Sequence, residues 1–167
     1  AAGVVVAIPD LPIPGDLDGW SGWHDVARSA EQAADSARAQ GHGTFFFSPS
    51  YRTSSMLRFY LPGQPRTYAQ DVYGDPALEF DYLPLTNDLR GETGILVLTP
   101  PDQRNLDRQR LARHFDSVEL VDVVESTAFG KTTRRAEIYR CTNYRGHPRQ
   151  STVAAGPGTS QVLVQFQ

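Results

Sequence analysis

The stretch Thr44 to Pro65, TFFFSPSYRTSSMLRFYLPGQP, decides the fold. Thr44 to Phe47 is an apolar run too short for a helix and is stopped by Ser48-Pro49-Ser50. That is the pattern of a strand buried on both faces, which in turn requires helices on either side of a sheet. Ser48 is a good N-cap with Pro49 at the first helical position, so a short helix is expected from about Pro49 to Tyr60. Leu61-Pro62-Gly63 ends it. The turn between strand and helix falls at the strand's carboxyl end, where open α/β sheets place ligands. Backbone N–H groups of Ser50, Tyr51 and Arg52, with the Arg52 guanidinium, suit a phosphate or carboxylate. Ser48, Ser50, Tyr51 and Arg52 are therefore the candidate ligand-binding residues, against the plainer alternative that the serines only cap and Arg52 pairs with a surface acid.

Upstream, Trp20, Trp23, Ala27, Ala30, Ala34 and Ala37 form a narrow stripe at helical spacing. Asp25, Arg28, Glu31, Asp35 and Arg38 take the opposite face, Asp18 or Ser21 is placed to cap the start, and Gly41 or Gly43 closes the end. An alanine-lined face packs closely on a sheet. Downstream, Arg66 to Gln70 reads as a second, parallel strand after a short crossover. Asp71 to Thr93, broken by Pro76, Pro84, Asn87-Asp88 and Gly91, reads as a long ordered loop, a place to look for a site. Gly94 to Thr99 is another apolar strand, and Asn105 to Phe115 a helix with Leu106, Leu111 and Phe115 inward. Ser117 to Glu125 and Arg134 to Asn143 alternate apolar and polar residues around Gly130, as an antiparallel edge hairpin does. The expected fold is α/β: a three-layer domain with a mostly parallel sheet of about five strands and that hairpin at one edge. Residues 15–146 form the domain, 1–14 a linker, and 147–167 a flexible tail or an added edge strand.

A chain of 167 residues with 40% hydrophobic and 10% aromatic residues suffices for one domain with a real core. A net charge of -3 argues against a nucleic-acid partner, since neutralising phosphates needs a basic face. The single Cys141 excludes an internal disulfide and reads as a packed strand residue. No G-x-x-x-x-G-K-S/T, G-x-G-x-x-G or G-x-S-x-G motif follows a strand, so no nucleotide cofactor or esterase elbow is expected. His24, His42, His114 and His147 are too scattered to suggest a metal. Glu79 and Asp81, two apart in the broken loop, have the spacing of an acid–base pair on an extended segment, although solvated surface is the commoner role. The opening Gly3 to Ile8, followed by three prolines, fits either an edge strand with a Pro-rich arm or the last turns of a helix leaving a membrane.

Three pieces taken in order carry a resemblance: Gly19-Trp20 with Trp23 to Ala27, Phe45 to Tyr68, and His114 to Val124 with the hairpin that follows. They resemble the soluble C-terminal domain of bacterial multi-spanning glycosyltransferases of the dolichyl-phosphate-mannose-protein mannosyltransferase type. Its most distinctive phrase here is Tyr51, Ser54 and the run Phe59-Tyr60-Leu61-Pro62-Gly63-Gln64-Pro65. The likeness spans roughly residues 15–141, and the 71–93 loop and the tail after Gly146 fall outside it. It implies a non-catalytic accessory domain on the extracytoplasmic (periplasmic) face of the inner membrane, following a membrane helix that ends just before Ala1. The parent enzyme would use polyprenyl-phosphate-linked sugar. Its catalytic acid belongs to the membrane portion and has no counterpart here, so this stretch alone is expected to lack transferase activity. The implied partners are that membrane portion and acceptor glycan or polyprenyl phosphate. Readings from other classes are a free-standing α/β enzyme for a small phosphorylated or carboxylated substrate at the same turn, and a protein-interaction module.

Overall fold

The computed structural model describes residues 21–73, 89–104, 106–128 and 131–146. In chain order these form α1 (Trp23–Arg38), β1 (Thr44–Phe47), α2 (Tyr51–Tyr60), β2 (Thr67–Tyr68), a 3-10 turn at Gln70–Tyr73, β3 (Thr93–Leu98), α3 (Pro100–Arg104), α4 (Arg108–His114), β4 (Ser117–Ala128) and β5 (Lys131–Thr142). Among the described residues the strands make one five-stranded sheet in the order β2-β1-β3-β5-β4. β1 pairs in parallel with β2 and with β3, whereas β5 runs antiparallel to both β3 and β4. The sheet is thus mixed, with a parallel part of three strands, rather than mostly parallel. The cause is the hairpin: β5 inserts between β3 and its own partner β4, so the strand beside β3 must point the other way.

Alternation along β1 and β3 sends side chains to two separate cores on the two faces of the sheet. Phe46, Ile95 and Val97, with Ala136 and Ile138 of β5, pack beneath Trp23, Val26, Ala27, Ala30 and Ala34 of α1 and Leu57 of α2. The alanines expected from the stripe are the ones buried. On the other face Phe45, Phe47, Leu96 and Leu98 meet Val72, Leu111, Phe115, Tyr139, Cys141 and Tyr144. Phe47 stacks on Phe115 with centroids 5.4 Å apart. Gly94 lies under this aromatic group, where a Cβ would stand 2.7 Å from Phe47 Cε1.

The helix ends differ from the expectation in instructive ways. α1 is capped by Gly22, not Ser21, with Gly22 at φ 78°. Its carbonyl accepts from the Ser126 hydroxyl (3.2 Å) and that of Ser21 from Arg134 Nε (2.9 Å), so the hairpin grips the helix start. Asp18 and Trp20 lie outside the described residues. α4 is shorter than the expected helix because Asp107 caps it, its carboxylate accepting from the N–H groups of Gln109 and Arg110, both at 3.0 Å. Pro100-Pro101 opens α3, where a missing N–H costs nothing. Of the expected loop, Gln70–Tyr73 coils into the 3-10 turn, and residues 74–88, including Glu79 and Asp81, lie outside the described residues. So do residues 1–14 and the tail 147–167.

Candidate functional site

The carboxyl ends of β1 and β3 are where an open α/β sheet of this order divides, β2 lying to one side of β1 and β3 to the other. Side chains close that crevice. Asp102 of α3 is buried and its Oδ2 accepts from the Thr53 hydroxyl of α2 (2.8 Å), the Thr99 hydroxyl (2.7 Å) and the Thr99 N–H (3.0 Å). The bond to Thr53 ties the start of α2 to the end of β3. With Oδ2 shared between Thr53 and Thr99, Asp102 acts as a structural rivet between the two elements.

The turn into α2 sits beside this rivet. Ser48 is completely buried, its N–H donating to the Tyr68 carbonyl (3.2 Å) and its hydroxyl oxygen accepting from the Ser50 N–H (3.4 Å). Ser50, not Ser48, is the residue flanking the helix, and its side chain makes no capping bond. Pro49 therefore lies outside the helix, in the turn. Of the four candidate residues the structure brings Ser50, Tyr51 and Arg52 to the surface at the helix start, and holds Ser48 beneath them. Tyr51 is 56% exposed and Phe59, two turns along the same helix, 63% exposed. The spacing of eight residues puts Tyr51, Ser55 and Phe59 on one outward face, flanked by the exposed Arg52 and Arg58.

The inner face of α2 shows why those side chains stay outside. Ser54 is fully buried, its hydroxyl donating to the Tyr68 carbonyl (2.6 Å), while the Thr67 hydroxyl donates to the Ser54 carbonyl (2.8 Å). Together with Leu57 and Leu61 in the core, this fixes which side of the helix meets the sheet. The segment Leu61 to Gln64 then reverses, with Gly63 at φ 72° and Gln64 at φ 48°. The hydroxyls of Thr53, Ser54 and Thr67 are thereby committed to the backbone or to Asp102.

A second feature, which the sequence reading missed, lies on the opposite face of the sheet. A cavity of about 220 Å³ opens between α4 and the hairpin, lined by Leu96, Leu106, Leu111, Phe115 and Val118 with Arg108 and Tyr139 at its polar side. Tyr139 donates to Glu137 Oε2 (2.7 Å), and burial together with that carboxylate raises its pKa. Leu106, Leu111 and Phe115 do face inward as expected, although only Leu111 lies within α4. The space beside them, which Ala112 and Ser117 also line, was not legible in the sequence. Among the described residues no group of three His, Cys, Asp or Glu is placed to hold a metal ion, and no helix is long and apolar enough to cross a membrane.

No protein-family model, curated protein or solved structure matches the chain.

Proposed function

We propose that this chain is an accessory domain of a membrane glycosyltransferase that uses polyprenyl-phosphate-linked sugar, placed on the extracytoplasmic face and without transfer chemistry of its own. The support is the resemblance centred on Phe59 to Pro65 together with one observation, the outward face of α2. Tyr51 and Phe59 stand more than half exposed on the helix that carries the most distinctive residues, with Arg52 and Arg58 at their sides. Large aromatics left in water beside arginines are the composition of a surface that meets a partner. In this reading α2 faces the membrane portion of the same polypeptide. Ser50, Tyr51 and Arg52 then contact acceptor glycan or lipid phosphate at the mouth of the active site, the guanidinium taking the anionic group.

Replacing both Tyr51 and Phe59 by Ala in the parent enzyme is expected to lower transfer at least tenfold while the isolated domain keeps its unfolding midpoint. Unchanged transfer, or full transfer after removal of the whole domain, overturns the reading. The ligand role is tested separately by following the amides of Ser50, Tyr51 and Arg52 during titration with a short-chain polyprenyl phosphate or an oligosaccharide. No shift at millimolar ligand removes the binding role and leaves only docking.

A further inference from the structure

β4 is twelve residues long, and among the described residues it lies at the edge of the sheet with only β5 beside it. Its outer row of N–H and C=O groups is therefore open to another strand, a liability that folded proteins cover or blunt. The face on the cavity side is also bare. Val118, Leu120 and Val123 are 38% to 47% exposed, an apolar strip running along β4 from the cavity mouth, and Val121, at the irregularity between Leu120 and Asp122, is 38% exposed. The register places Val118 opposite Cys141 and Leu120 opposite Tyr139, both members of the core on that face.

We infer that the segment Gln161 to Gln167, QVLVQFQ, adds to the β4 edge as a sixth strand. The place where the described chain stops supports this. Asp116 pairs with Arg145 (2.6 Å), Ser117 Oγ lies 2.6 Å from Thr142 Oγ1, and His114 Nδ1 donates to the Gly146 carbonyl (3.0 Å). Gly146 thus departs beside the first residues of β4 and on the cavity side. The intervening residues 147–160 span roughly 45 Å when extended, more than the length of β4, so every position on the edge is within reach. The segment alternates as a strand with one apolar face, setting Val162, Val164 and Phe166 on the same side. Turned to the cavity side, those three continue the strip of Val118, Leu120 and Val123, with Phe166 the bulkiest group available to enter the cavity.

Charge decides against a second copy of β4 as the occupant. Glu119, Asp122 and Glu125 would bring six carboxylates together across a self-paired edge, whereas QVLVQFQ carries no charge. The apolar run Val4 to Ile8 is a poorer match, because it does not alternate and because Ser21 enters beside Arg134, at the far end of the hairpin and on the α1 side.

Hydrogen exchange of the full chain tests this. The β4 amides between Val118 and Val123 that are not bonded to β5 are expected to exchange at least tenfold more slowly than in a chain ending at Gln150, with β3 and β5 amides unchanged between the two. Phe166→Asp in the full chain should give the same acceleration without shortening it. Pairing Leu120→Cys with Val162→Cys, Val164→Cys or Phe166→Cys should yield an intramolecular disulfide in at least one monomeric variant. Equal exchange in full and shortened chains, protection that grows with protein concentration, or no disulfide in any pair overturns the inference.

Discussion

Gly22→Ala is the substitution whose cost can be worked most directly from the geometry. Two separate penalties meet there. Gly22 has φ 78°, in the left-handed region, which costs a residue with a Cβ about 1–2 kcal/mol. The added Cβ would also stand 2.7 Å from the Arg134 Cβ and 2.8 Å from the Ser126 Cβ. Those atoms are not flexible tips, since Ser126 and Arg134 face each other in the β4–β5 ladder. Backing the helix away would stretch the bonds from Ser126 and Arg134 to the Gly22 and Ser21 carbonyls. Overpacking of this kind costs about 1–3 kcal/mol, for a total of roughly 2–5 kcal/mol. Gly41→Ala separates the two terms, because Gly41 has φ 85° but nothing within 4 Å of the added Cβ. Urea unfolding of both variants should place the Gly22→Ala midpoint lower by about 1 M, given a slope near 2 kcal/mol/M. If the two variants agree within about 0.5 kcal/mol, the tight junction between α1 and the hairpin is not what the geometry says.

Asp102→Ala leaves the Thr53 and Thr99 hydroxyls and the Thr99 N–H without their acceptor, and is expected to cost roughly 2–4 kcal/mol in denaturant unfolding, with Asp102→Asn costing less because one oxygen remains. Burial raises the pKa of Asp71 above the ordinary carboxylate value, against the lowering effect of the Ala69 N–H that it accepts. Its stabilising contribution is therefore fully present below the unfolded value of 3.8 and is lost as pH rises through the folded value. Asp71→Asn should flatten that part of the stability–pH curve and make the protein more stable than the parent above it, as thermal melts across the acid range would show. Cys141 is buried at the sheet centre with its thiol pushed well above the usual range, so a disulfide reagent should label the native protein roughly a thousandfold or more slowly than the unfolded chain. Fast labelling would mean that β5 opens locally.

Most of the elements were legible because their signals are local. The run Thr44–Phe47 became β1 with those bounds, and the alanine stripe became the buried face of α1. What escaped depends on distant partners. Gly22 rather than Ser21 caps α1 because the hairpin, a hundred residues later in sequence, leaves room for no side chain. Ser48 was expected at the helix start and is held below it, because Tyr68 and Ser54 claim the space around it. The mixed sheet likewise follows from where β5 inserts, and alternation within β5 says nothing of its neighbours. At the candidate site, the exposure of Tyr51 and Phe59 follows from the helical period once Ser54 and Leu57 are known to face inward. The cavity beside α4 depends on shortfalls of volume that no pattern of polarity records.

The grip of the hairpin on α1 also sets an order for folding during synthesis. Gly22 and Ser126 are separated by 104 residues, which a ribosome takes roughly 5–20 s to add. Throughout that interval α1 lacks Ala136 and Ile138, two of the buried residues that form the floor beneath it. Its apolar stripe must wait either loosely against β1 and β3 or in the hands of a chaperone. The contacts of longest sequence separation thus close the structure last, and a lesion at Gly22 should delay the end of folding more than its beginning.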